Sequence, residues 1–130
     1  PQLKAALESL GRPVEIVTPG PFNFPQMVEA LSRAEVIVGA HGANLANLIF
    51  APANVKVVEI VPQVNFDFQD YHFRDLAGAL NFTYVPVGQR VREDEYNQML
   101  AEDPMTMDKA LASYEVDVMK VTALIKGILK

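Results

Sequence analysis

The stretch Val36 to Ile60, VIVGAHGANLANLIFAPANVKVVEI, decides how this chain folds. Glu35 to Gly39 is a nearly continuous apolar run, the pattern of a strand whose two faces are both covered. Gly39-Ala40-His41-Gly42-Ala43-Asn44 follows as a glycine-punctuated turn, and Gly42 to Phe50 reads as a helix. That helix is apolar almost all round except at Asn44 and Asn47, so it is expected to be deeply buried. Pro52-Ala53-Asn54 makes the next turn, and Lys56 to Val61 is a second buried strand carrying one acid, Glu59. At the carboxyl edge of an open parallel sheet, the turn from strand to helix is where ligands bind. The helix start there aims unpaired N–H groups outward, which favours an anion such as a phosphate.

The flanking sequence repeats the alternation. Leu3, Ala6, Leu7 and Leu10 share one helical face, and Gly11 supplies a left-handed stop. Val14-Glu15-Ile16-Val17 reads as a short strand closed by Thr18-Pro19-Gly20-Pro21. Asn23 is the expected N-cap of a helix to about Ala34, with Pro25 in its first turn and Met27, Val28, Leu31 and Ala34 facing inward. Past the central stretch, a helix is expected from about Phe66 to Leu80, Asn81-Phe82-Thr83 as a helix-to-strand turn, and Phe82 to Val87 as the last strand. Asn81-Phe82-Thr83 also matches a glycosylation sequon, a triplet common by chance. The expected fold is α/β: a three-layer, Rossmann-like parallel sheet of about four strands with helices on both faces. Residues 1–130 form a single such domain, in which 88–130 is a helical extension. Val91 to Ala101 reads as a charged connector. Asp103-Pro104 then starts a long terminal helix, with Leu111, Tyr114, Val118, Val121, Ile125 and Ile128 on one apolar face. That face needs cover, and a dimer contact is one expectation for it.

Composition narrows the function classes. With 130 residues, half of them hydrophobic, the chain can bury a core, about two-thirds of the surface its unfolded form exposes. The net charge of -5 and the absence of any cluster among the eleven Lys and Arg argue against a nucleic-acid partner. Without cysteine there are no disulfides, thiolate catalysis or cysteine metal sites; a reducing, cytoplasmic setting is expected. No run is long enough for a membrane span, and the chain opens at Pro1 directly in helical periodicity, as an excised piece of a longer protein does. The glycines do not form G-x-G-x-x-G, which disfavours a nicotinamide cofactor; no P-loop and no G-x-S-x-G elbow occurs. Asp67 and Asp70 lack partner ligands, so no metal site is expected.

Four positions carry the chemical reading. His41, between a buried strand and a buried helix and flanked by glycines, either caps the turn or contacts a ligand. Asn44 either satisfies loop backbone or adds a side-chain donor beside the phosphate-binding N–H groups of Gly42 and Ala43; Asn47, a turn deeper, reads as structural. A carboxylate at Glu59 is costly unless hydrogen-bonded; it either accepts both hydroxyls of a ribose or takes an N–H partner within the fold. Tyr71, His72 and Tyr84 sit at core spacing and read as core.

The block Gly39-Ala40-His41-Gly42-Ala43-Asn44-Leu45-Ala46-Asn47-Leu48-Ile49-Phe50-Ala51-Pro52, with Val57-Val58-Glu59-Ile60 after it, resembles the signature of glycosyltransferase family 61, approximately G-x-H-G-A-x-L-x-N-x-x-F-x-P then V-V-E. Gly39, His41, Gly42, Ala43, Leu45, Asn47, Phe50, Pro52 and Glu59 match it. Position 44, often Gly in that family, is Asn here. The likeness runs over about residues 3 to 87; Gln26 and the Ala34-Glu35 strand entry fit it too, and Tyr71 and Tyr84 fit more loosely. It implies a two-domain, GT-B-type enzyme whose C-terminal Rossmann-like half binds a nucleoside diphosphate sugar, with inverting transfer to a hydroxyl acceptor and no essential metal. The family includes xylosyl- and N-acetylglucosaminyltransferases and proteins of capsular polysaccharide biosynthesis. On that resemblance this chain is most of the C-terminal half, lacking its first strand and the acceptor-binding N-terminal domain. Gly39, His41, Gly42, Ala43, Asn44 and Glu59 would be donor-binding and His41 the catalytic candidate, contacting a phosphate oxygen or the sugar. No general base for the acceptor is evident. The competing classes are a non-catalytic nucleotide-binding module using the same loop, and an interaction domain that docks through its terminal helix.

Overall fold

Three parallel strands in the order β1-β2-β3 form the sheet: β1 (Val36–Ala40), β2 (Lys56–Gln63) and β3 (Thr83–Arg90). The computed structural model describes residues 2–18, 20, 22–40, 43–63, 72–90 and 116–130. Helices α1 (Gln2–Glu8) and α2 (Phe24–Ser32) precede the sheet, the 3₁₀ helix η1 (Ala43–Phe50) joins β1 to β2, α3 (His72–Ala79) precedes β3, and α4 (Val118–Ile128) ends the chain. The α/β class is as the alternation required, with three strands among the described residues rather than about four.

Alternation along each strand sorts the sheet residues into two layers. Val36 and Val38 of β1, Val58 and Ile60 of β2 and Val87 of β3 face one side, where Val121 and Ile125 of α4 and Leu3 and Leu7 of α1 cover them. Ile37, Val57 and Tyr84 face the other, against Leu48 of η1, Leu76 of α3 and Ala34 beyond α2. Since β1, β2 and β3 add in chain order, crossovers of one hand lay η1 and α3 on the same face. Val57, Val58 and Val121 are wholly buried, and each such side chain contributes about 1.5–3 kcal/mol over leaving it exposed.

The expected strand Val14 to Val17 joins no sheet. Pro13 and Pro19 bracket it, one removing an amide donor on each side, and Ile16 is 64% exposed. Side chains hold this segment instead: Arg33 pairs with Glu15 at 2.9 Å and Arg12 with Glu35 at 2.8 Å. Asn23 precedes α2 but does not cap it; its Nδ2 donates to the Thr18 carbonyl at 2.6 Å, tying the loop to the helix start.

The terminal helix also begins later than its periodicity suggested. Asp117 caps α4, accepting from the Lys120 amide at 3.0 Å, so the helix starts at Val118; Asp103-Pro104, Leu111 and Tyr114 lie outside the described residues. Its apolar face, expected to need a partner, is spent inside the chain, with Val121 and Ile125 buried against the sheet. The dimer invoked to cover that face is not required by these turns. Lys120 Nζ reaches the Gly88 carbonyl at 2.7 Å and Lys56 Nζ the Ile128 carbonyl at 3.2 Å, fastening both helix ends to the sheet. Among the described residues, no helix is long and apolar enough to cross a membrane.

Asn81 makes the expected turn between α3 and β3. Its φ of 58° is left-handed; the Phe82 amide bonds to the Ala77 carbonyl at 2.8 Å and the Asn81 amide to that of Gly78 at 3.1 Å. This is the Schellman closure, which favours Gly or Asn at the left-handed position. Asn81→Ala is expected to lower unfolding free energy by about 1–2 kcal/mol, the penalty of a Cβ in that conformation, and Asn81→Gly to lose nothing. Urea unfolding midpoints of the two variants check this; equal midpoints would contradict it.

Candidate functional site

Gly39, Glu59 and Pro86 stand side by side on adjacent strands. By alternation they share the face that carries η1 and α3, together with Tyr84, which is opposite Val57 one step earlier along β3. β1 ends one residue beyond Gly39, and η1 begins at Ala43, so the chain turns directly above this row. His41 and Gly42 lie outside the described residues. Ala43 and Asn44 open η1 and place the leading backbone amides of that helix at the sheet's carboxyl edge.

Helix η1 is a 3₁₀ helix rather than the α-helix its apolar run suggested, and this corrects the expectation that it is buried all round. With three residues per turn, positions three apart eclipse one another. Leu45 and Leu48 are therefore both buried and Ala51 partly so, whereas Ala46 and Ile49 are both exposed, Ile49 by 57%. Asn47 and Phe50 share the third, half-buried side, where Phe50 packs edge-on against Phe24 of α2 with ring centroids 5.5 Å apart.

Leu45 is seated on the one sheet position that has no side chain. A Cβ at Gly39 would stand 2.7 Å from Leu45 Cδ2 and 3.4 Å from its Cγ, closer than real contacts allow. Gly39 thus serves first as a bed for η1, and the space above its Cα is filled by the chain itself.

Beside this contact lies Glu59, a carboxylic acid with 0% exposure. Tyr84 Oη donates to Glu59 Oε2 at 2.5 Å, the short separation of an O–H bonded to an ionised oxygen. A buried carboxylate needs such donors, because desolvation otherwise outweighs its packing. Sequence reasoning marked Glu59 but read Tyr84 as core. The missed signal was that a buried acid demands a hydroxyl or N–H of matching parity on a neighbouring strand; the register that supplies it, Val57 opposite Tyr84, cannot be read from strand composition. Of the other residues weighed, His72 is the exposed first residue of α3, and Asp67, Asp70 and Tyr71 lie outside the described residues. Among the described residues, no three His, Cys, Asp or Glu side chains cluster as metal ligands do.

The family model described as Glycosyltransferase 61 matches residues 1–58, which takes in β1, the turn and all of η1. The chain belongs to glycosyltransferase family 61. It is similar to the beta-1,2-xylosyltransferase XAX1 of Oryza sativa subsp. japonica, 30% identical over 115 residues, or 82% of this chain and 20% of that protein. The protein O-linked-mannose beta-1,4-N-acetylglucosaminyltransferase 2 of Takifugu rubripes is 37% identical over 67 residues, 49% of this chain and 11% of the relative. The beta-1,2-xylosyltransferase RCN11 of the same rice is 41% identical over 39 residues, 30% of this chain and 7% of its own length. This family 61 chain therefore spans a fifth or less of these relatives. No solved structure matches it.

A test of the Gly39 seat follows from its geometry. Gly39→Ala is expected to destabilise the fold by about 1–3 kcal/mol, the usual range for overpacking a filled site. In a Leu45→Ala background the same change should lose most of that effect, because the opposing methyl is gone. Unfolding free energies around this double-mutant cycle measure the coupling; strict additivity would show that the two residues do not compete for space.

Proposed function

We propose that this chain is the donor-binding part of an inverting glycosyltransferase, holding a nucleoside diphosphate sugar at the turn between β1 and η1. The observation that supports this best is the join of a family 61 match over residues 1–58 to a parallel sheet whose β1 gives way to a helix start beside an enclosed acid. In the reaction, negative charge builds on the departing diphosphate, and fixed donors aimed at it lower the barrier. The amides of Gly42, Ala43 and Asn44 are the donors proposed here, aided by the dipole of the helix they open. His41 is the proposed catalytic group, donating to a phosphate oxygen or contacting the sugar, and Glu59 the group that accepts the ribose hydroxyls. Gly39 contributes by letting η1 approach the sheet closely enough to bring those amides over it.

Transfer needs a hydroxyl acceptor and a base to deprotonate it, and both are proposed to come from a further domain. Metal is not needed in this scheme, since backbone amides and a histidine carry the leaving-group charge. Sugar transfer in polysaccharide assembly, such as a capsule, is the setting proposed for it.

Isothermal titration of the chain with each of the four ribonucleoside diphosphates tests the reading. One of them is expected to bind, with affinity unchanged by EDTA. His41→Ala and Glu59→Ala should each weaken it about tenfold or more, equivalent to ~1.4 kcal/mol. A nucleotide that binds equally well to both variants would move the site elsewhere on the molecule.

A further inference from the structure

We infer that Tyr84 is a positioning residue for nucleotide binding, its hydroxyl fixing the Glu59 carboxylate in the orientation in which it meets the ribose. The inference rests on the donor-site reading above and deepens it, because nothing in the family signature or in the strand pattern gives Tyr84 a part. Three features of the structure carry it.

The first is directional. Glu59 stands opposite Pro86 on β3, whereas Tyr84 stands opposite Val57, so the phenol leans diagonally along the strands to reach the acid. Its hydroxyl takes one named oxygen, Oε2, at 2.5 Å. A carboxylate is symmetric about its terminal bond, and a single strong donor on one oxygen fixes the plane of the group and with it the aim of the other.

The second is enclosure. Glu59 is the one charged side chain counted in the buried core of the described residues. It stands next to Gly39, over which Leu45 closes. In so confined a place a carboxylate rotamer is set by its neighbours, and a mis-set one cannot relax into solvent. The third is chemistry. A purely structural role for the position is served by apolar packing, which the Tyr84 ring already gives against the η1 and α3 side of the sheet; the hydroxyl adds only orientation of the acid.

Tyr84→Phe keeps the ring and removes the hydroxyl, so it isolates that contribution. The readout is the ratio of affinities for the tightest-binding ribonucleoside diphosphate and its 2′-deoxy counterpart, measured by titration on the 130-residue chain. The parent should prefer the ribonucleotide, and Glu59→Gln should erase most of the preference. Tyr84→Phe should reduce the preference at least threefold while binding the deoxynucleotide as the parent does. A general packing defect lowers both affinities together and leaves the ratio intact; that result, with Glu59→Gln still erasing the preference, overturns the role of Tyr84 while leaving the donor site standing. If the parent binds no nucleotide, or if Glu59→Gln leaves the ratio unchanged, the donor-site reading of Glu59 falls and this inference with it. Thermal unfolding of each variant, run alongside, identifies any that fails to fold, and Tyr84→Trp then serves in place of an unfolded Tyr84→Phe as a ring without a phenolic donor.

Discussion

A missing side chain governs the middle of this molecule. Because residue 39 has no Cβ, Leu45 descends onto the sheet, and because η1 winds with three residues per turn, Leu48 follows on the same line. Those two leucines hold the connecting helix against β1 and β2 with its first residue close to the end of β1. Everything proposed for function lives in the space this creates: the turn itself, the leading amides of η1, and the acid of β2 alongside Gly39. A methyl group at 39 would lift the helix from its bed before it touched any ligand. The glycine that a sequence reader assigns to close ligand approach is thus needed first for close approach of the chain to itself, and the two demands are compatible because backbone, not side chain, faces the turn.

Much of the fold was legible because it rests on local rules. Apolar runs at Val36–Val38 and Val57-Val58, the left-handed stop at Gly11 and the asparagine turn at Asn81 all announce themselves within a few residues, and all appear in the structure. What failed were readings in which a local pattern had no tertiary neighbour. Val14 to Val17 has strand composition, but a strand is stable only through its ladder, and between two prolines this segment finds ion pairs instead. The spacing of three and four along the terminal helix was real, but its start depended on which aspartate the fold would use as a cap, and it used Asp117.

The candidate site was legible in part for the same reason. Glu59 stood out because an acid inside Val57-Val58-Glu59-Ile60-Val61 breaks its own pattern, a contradiction visible without any structure. Its partner was not, because Tyr84 obeys the strand pattern fully and acquires meaning only from a register between strands that a helix separates. The winding of η1 was hidden too. An all-apolar segment has no phase by which to tell three residues per turn from three and a half, and only the fit of Leu45 to Gly39 settles it.

The Glu59–Tyr84 pair is best understood by asking what stability alone would have selected. Buried polar pairs are no better for folding than well-packed apolar residues of the same volume, and often worse, while loss of one partner is severe. A sheet whose neighbouring positions are Val57, Val58 and Ile60, all buried, offers an obvious apolar alternative at 59. The family match stops at residue 58, one position short of the acid, so what singles out Glu59 here is physical: it is a charge kept where folding does not ask for one. Such a group retains its value if something arrives that needs two acceptor oxygens in a fixed plane. A ribose, with vicinal hydroxyls at fixed separation, is that kind of ligand, and the tyrosine is what keeps the plane fixed before it arrives.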